Sequence, residues 1–212
     1  MILKKSKIDE FHLENCNSQN DKNLQFKNQF LNKKNLLEGF IKTNSFNKNQ
    51  IALLKWIQAG LDIDECINKF GDSGYLFSNM IAKFISSSDE YFISKNALIE
   101  MKSKNYDTDK TYKRSFLAKL PEFFLEHSVP VSLIREKLLS TNSNIDEFFL
   151  IIKSMGPLVI ILRSENKELD NAGLRSKMPI NWNWGDDKFA RYNKVGIEIS
   201  DKKLKVSGRL IR

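Results

Sequence analysis

Leu53-Leu-Lys-Trp-Ile-Gln-Ala-Gly60-Leu-Asp62-Ile-Asp64 is the stretch on which the reading of the whole chain turns. Ile51, Leu53, Leu54, Ile57 and Leu61 recur at three-and-four spacing, which puts them on one face of a helix starting near Asn49. Gly60 follows the last good turn, where a residue tolerant of positive φ ends a helix. Asp62, two residues on, can accept from backbone N–H groups in the turn.

Two later segments overlay on this one. They are Leu98-Ile-Glu-Met-Lys-Ser-Lys-Asn105-Tyr-Asp107-Thr-Asp109 and Arg135-Glu-Lys-Leu-Leu-Ser-Thr-Asn142-Ser-Asn144-Ile-Asp146. Each is an apolar helix end, then Gly or Asn, one residue, Asp or Asn, Ile or Thr, and Asp. The pivots at 60, 105 and 142 lie 45 and 37 residues apart. The motif resembles the ankyrin repeat, whose period is about 33 residues. Gly60-Leu-Asp62-Ile-Asp64 stands where that family has Gly-Ala-Asp-x-Asn. Gly71-Asp-Ser73-Gly-Tyr75-Leu-Phe-Ser78 stands where it has Gly-x-Thr-Pro-Leu-His-x-Ala, with Ser73-Gly74 replacing Thr-Pro. The resemblance spans residues 50–155 and is strong over 53–82. It implies stacked helical hairpins that share one elongated core, and a non-enzymatic scaffold that binds a protein partner.

Working outward, apolar periodicity predicts helices over 73–85, from Tyr91 or Ile93 to Ser103, over 112–127 with a break at Pro121, and over 131–141 and 146–154. Gly156-Pro157 ends the helical part. Leu158–Leu162 suits a buried strand, and Val195–Ile199 with Leu204–Ile211 alternates around Ser200-Asp-Lys-Lys203 as a β-hairpin. The expected class is therefore mainly α: an ankyrin-like array with a small C-terminal β-hairpin element. Its domains are a polar leader with a short helix over 1–34, the array over 35–155, and an α+β capping unit over 156–212.

The 212 residues carry 34 Lys and Arg against 26 Asp and Glu, a net charge of +8. That balance permits nucleic acid or an acidic protein as partner without requiring either. The leading expectation is a protein partner, with oligomeric state open. Contact residues taken from turn position and aromatic character are Asp62, Asp64, Asp107, Asp109, Trp182 and Trp184. The first alternative is a basic regulatory protein that binds nucleic acid. It would use a helix-turn-helix over 49–85 or a basic C-terminal hairpin with Arg191, Lys202, Lys203, Lys205 and Arg209. The second is an enzyme whose site lies in 178–192, around Asp186, Asp187 and Arg191.

No catalytic residue, metal ligand or cofactor is assigned. The chain has no Gly-rich phosphate loop, no His-Glu-x-x-His and no paired Cys motif, and Cys16 and Cys66 lack metal-type spacing. No apolar run is long enough for a membrane span, and the N-terminus has no signal-peptide core, so the expected location is the cytoplasm.

Overall fold

The computed structural model describes residues 28–29, 31–62, 73–141 and 144–208, with 60–62 and 73–75 described by backbone alone. The chain divides into two compact units, Met1–Ser45 and Phe46–Arg212. In the first, a helix α1 runs over residues 31–43. Its end is tied off by Asn44, whose Nδ2 donates to the Phe40 carbonyl at 2.7 Å.

The second unit opens with α2 (Lys48–Asp62) and α3 (Ser73–Ser86), which pack against each other. Asn47 and Gln50 cap α2 reciprocally. Gln50 N donates to Asn47 Oδ1 at 3.0 Å, and Asn47 N donates to Gln50 Oε1 at 3.2 Å. Leu54, Ile57, Ile81 and Phe84 from these two helices are buried, as their three-and-four spacing requires.

The chain then turns to sheet. In order come β1 (Glu90–Ser94), α4 (Lys95–Ser103), β2 (Tyr112–Lys113), α5 (Arg114–Leu117) and β3 (Phe123–His127). Next are α6 (Val131–Ser140), α7 (Ile145–Met155), β4 (Leu158–Leu162) and α8 (Arg163–Asn171). The short α9 (Ala190–Lys194) and the long β5 (Ile199–Ser207) complete it. The strands form one sheet in the order β2-β5-β1-β4-β3. β1 runs parallel to β4, and β2 parallel to β5; β5 is antiparallel to β1, and β3 antiparallel to β4.

This corrects the expected mainly-α array. A five-stranded mixed sheet stands where stacked hairpins with one terminal hairpin were predicted, so the fold is α/β. Three segments were misread, each for a local reason. Tyr91-Phe92-Ile93 is too short a run to show a helical period. Its residues are strand formers, and Ser94 then starts a helix by accepting from Ala97 N at 3.0 Å. The predicted helix over 112–127 is two strands and one short turn of helix, with Pro121 lying in the turn between α5 and β3. Ser200-Asp-Lys-Lys203 is not a turn but the first half of β5, held by β1, where Ser94 pairs with Ile199 and Phe92 with Lys203.

Among the helices, α3 packs on α6, and α6 on α7. α4 covers β1, β4 and β5, while α8 covers β3 and β4. Beneath α8 lies a cluster of Val159, Ile161, Leu169, Leu174, Tyr192 and Ile197. Phe92 and Phe189 pack on its margin. The faces of β5 differ sharply. Leu204 and Val206 are buried, while Lys203, Lys205 and Ser207 between them are exposed.

Candidate functional site

Three places bring polar chemistry together. The first is the junction where the parallel strands β1 and β4 both end and helices begin. Glu165, in the first turn of α8, is 3 % exposed. Its Oε2 accepts from Ser94 Oγ at 2.6 Å and from Leu162 N at 2.8 Å, and its Oε1 accepts from Asn96 Nδ2 at 3.1 Å. The carboxylate thus clamps two strand-to-helix turns together. The Ser94 hydroxyl is wholly buried and shared between Glu165 and the cap of α4, so it is a structural group without access to a substrate.

The second is Arg191, which has no exposed side-chain surface. Nε donates to the Ser128 carbonyl at 3.1 Å, and Nη1 to the carbonyls of Leu174 at 2.9 Å and Arg175 at 3.2 Å. Nη2 donates to the His127 carbonyl and to Glu126. One planar guanidinium therefore binds the end of β3 to the segment after α8. Beside it, the Tyr192 hydroxyl donates to the His127 carbonyl at 3.1 Å.

Complete burial raises the Tyr192 phenol well above its usual value, with the Arg191 charge pulling it only part of the way back. A phenol whose folded-state affinity for its proton exceeds that of the unfolded chain lends stability that is whole below about pH 10 and drains away above it. We expect alkaline unfolding, followed by circular dichroism, to set in above about pH 10. In Tyr192→Phe the pH dependence of stability above pH 10 should be shallower, although the variant starts from a lower plateau for want of one hydrogen bond. An unchanged slope would remove Tyr192 from the account.

The third place faces solvent. Across the register, Phe92 pairs with Lys203, Glu90 with Lys205 and Lys113 with Ser207. Pairing in register puts each couple on one face of the sheet. Lys113 on β2 and Lys203 and Lys205 on β5 therefore share an exposed face, to which β1 adds Glu90 beside Lys205 and the half-buried Phe92 beside Lys203. Lys188 approaches from the segment before α9. Its Nζ lies 5.2 Å from the Phe92 ring centre and 5.4 Å from that of Phe189, and Lys203 Nζ lies 5.1 Å from Phe92. The two rings meet edge to face at 4.8 Å. Burial first, and the Lys203 charge second, lower the Lys188 ammonium's affinity for its proton, against an upward pull from Asp187. A cleft of about 350 Å³ opens here, lined by Phe92, Phe189, Asn193, Ser200, Asp201 and Lys203 among others.

The chain matches no known family. No family model, no curated protein and no solved structure was found to match it.

The residues singled out from the sequence fall in several places. Asp64 and Arg209 lie outside the described residues, and Asp62 is the last residue of α2, described by backbone alone. Asp107 shapes its own turn by accepting from Asp109 N at 2.9 Å, and Asp109 is ion-paired to Lys202. Asn105 has the positive φ, 59°, that its pivot position called for. These aspartates and Lys202 serve to fasten the 107–110 turn to β5. Trp182 and Trp184 meet at 5.1 Å, and Trp182 Nε1 donates to the Asp187 carbonyl at 2.9 Å. Trp182 also lines an open concavity of about 980 Å³ with Met178, Pro179, Ile180 and Ala190.

Arg191 has to be struck from the nucleic-acid set, since its guanidinium is buried and occupied by carbonyls. Asp186 and Asp187, the carboxylates of the second alternative, are turn caps: they accept from Asn183 N at 2.8 Å and Phe189 N at 2.9 Å. They are not joined by further ligands, and no cluster of three metal-binding side chains occurs among the described residues. No described helix is long and apolar enough to cross a membrane. Lys203 and Lys205 do share an exposed face. Lys113, Lys188 and Phe92 were missed, because only the strand register and the packing of the 188–193 segment bring them beside β5.

Proposed function

We propose that the chain binds nucleic acid by its phosphate backbone, across the open face of β2, β5 and β1. The observation that carries this reading is the row Lys113, Lys203 and Lys205, exposed on one sheet face and running up to the Phe92 ring. Side chains two apart on a strand are spaced by about 6.5–7 Å, so the row is an extended track rather than a point. Lysines on such a track neutralise phosphates. The overall charge of +8 adds long-range attraction. Lys203 and Lys205 lie on β5, which is internal to the sheet, so these two are not explained as protection of a free edge, whereas Lys113 lies on the edge strand β2.

The test is fluorescence anisotropy with a labelled single-stranded oligonucleotide over a range of salt. Three phosphate contacts predict a log–log salt slope of about −2. The triple reversal Lys113→Glu, Lys203→Glu, Lys205→Glu should abolish binding at low salt while leaving the circular dichroism spectrum intact. Absence of binding by the unaltered chain at low salt would overturn the reading. So would full binding by the triple variant.

A further inference from the structure

We infer that Lys188 and Lys203 together hold one phosphodiester group of the bound nucleic acid against Phe92, a subsite that rests on the reading above for the identity of its ligand. Two ammonium groups lie within 5.2 Å of the centre of the Phe92 ring; Phe92 and Lys203 line the 350 Å³ cleft, and Lys188 reaches the same ring without lining the cleft itself. Among the described residues, Lys188 makes no ion pair. The neighbouring Asp187 carboxylate is turned to its own loop, its Oδ1 accepting from Phe189 N at 2.9 Å and its Oδ2 from Asn193 Nδ2 at 2.8 Å.

Nor is Lys188 a freely waving surface chain. Gly156 has φ of +65°, and a Cβ there would fall 2.7 Å from Lys188 Cδ and 3.4 Å from Cε. The bare glycine makes room for the lysine stem, which is held between Gly156 and the rings of Phe92 and Phe189. A charged head fixed in advance loses little freedom on binding. Ser200 adds a donor: its Oγ accepts from Lys202 N at 3.1 Å, and its O–H can turn towards the cleft.

The surrounding charges select the ligand. Asp201 lines the cleft, and Glu90 Oε2 is 3.6 Å from Lys203 Nζ. Two cations set against two carboxylates suit a singly charged diester better than a doubly charged phosphate monoester. A diester flanked by bases also offers a flat group to the Phe92 and Phe189 rings.

The experiment is an NMR titration of the full chain with a dinucleoside monophosphate, which carries one diester and no terminal phosphate. It is run alongside oligonucleotide anisotropy on Lys188→Met and Lys188→Arg. Met preserves the packed stem, and Arg preserves the charge. The expected result is saturable shifts of the amides of residues 188–193 and 200–203, abolished by Lys188→Met and restored by Lys188→Arg. The oligonucleotide salt slope should flatten by about 0.7 in Lys188→Met. If Lys188→Met lowers the melting temperature but leaves the shifts and the slope unchanged, the contact is structural and the subsite is overturned. In that case the triple variant alone still decides the wider reading. If the dinucleotide saturates the cleft but no oligonucleotide binds, the diester subsite stands and the extended track falls. Absence of both responses overturns both.

Discussion

Arg191→Leu leaves a chain that is largely unfolded, or unfolds in very little urea. The side chain is wholly buried and its nitrogens reach the carbonyls of His127, Ser128, Leu174 and Arg175 as well as the Glu126 carboxylate. Leucine fills much of the volume but donates to none of them. Deleting one partner of a buried ion pair costs about 3–5 kcal/mol, mainly because the remaining charge and carbonyls stay out of water without partners. Domains of this size have only about 5–15 kcal/mol in total. Arg191→Lys keeps the charge but loses the planar fork, so it should sit between wild type and Leu rather than restore stability. Urea denaturation followed by circular dichroism reads both. A loss of less than about 1 kcal/mol for the Leu variant would mean that water satisfies those carbonyls, and the hub would lose its meaning.

Glu165→Ala is expected to cost about 2–3 kcal/mol, the range for losing hydrogen bonds to a charged group in a buried place. Three donors converge on this carboxylate: Ser94 Oγ, Asn96 Nδ2 and Leu162 N. Truncation strands all three at the ends of the parallel pair β1 and β4. Glu165→Gln keeps a carbonyl oxygen for Ser94 and Leu162, and a turned Asn96 amide can accept from the new NH2 group. Its cost should stay under about 1 kcal/mol. The variants Ser94→Ala and Glu165→Ala touch the same bond, so their effects should fall short of additive in a double-mutant cycle. Strict additivity would show that the Ser94–Glu165 contact contributes nothing of its own. Neither Arg191 nor Glu165 belongs to the lysine row, so moderate destabilisation at Glu165 should leave oligonucleotide affinity unchanged below the unfolding transition.

These two expectations come from residues that the sequence offers little reason to pair. Arg191 stands in a basic C-terminal run and reads as a surface cation until its carbonyl partners are seen. Glu165 lies in a segment whose apolar content is too low to draw attention, and its partner Ser94 belongs to a strand that was read as helix. The lysine face is similar. The alternation of Lys203, Leu204, Lys205 and Val206 is visible in the sequence, but Lys203 was read as part of a turn and Leu204–Ile211 as the strand after it, whereas the strand runs over Ile199–Ser207. Nor is it one arm of a terminal hairpin, because the partners of β5 are β1 and β2, far back in the chain.

What the sequence determined by itself is what local interactions control. Apolar spacing at three and four produced α2, α3, α6 and α7, since a helix closes its hydrogen bonds within the segment. Turn chemistry was equally local: Asn105 takes positive φ, and Asn144 Oδ1 caps α7 by accepting from Asp146 N at 3.1 Å and Glu147 N at 3.2 Å. The branched run Leu158–Leu162 announced a buried strand for the same reason. Tertiary structure alone decided that β1 and β4 run parallel, that β5 enters the middle of the sheet, and that Lys188 meets Lys203 over Phe92. A strand's hydrogen bonds are made by its neighbours, so its place in the sheet and the company its side chains keep are fixed by residues distant in sequence.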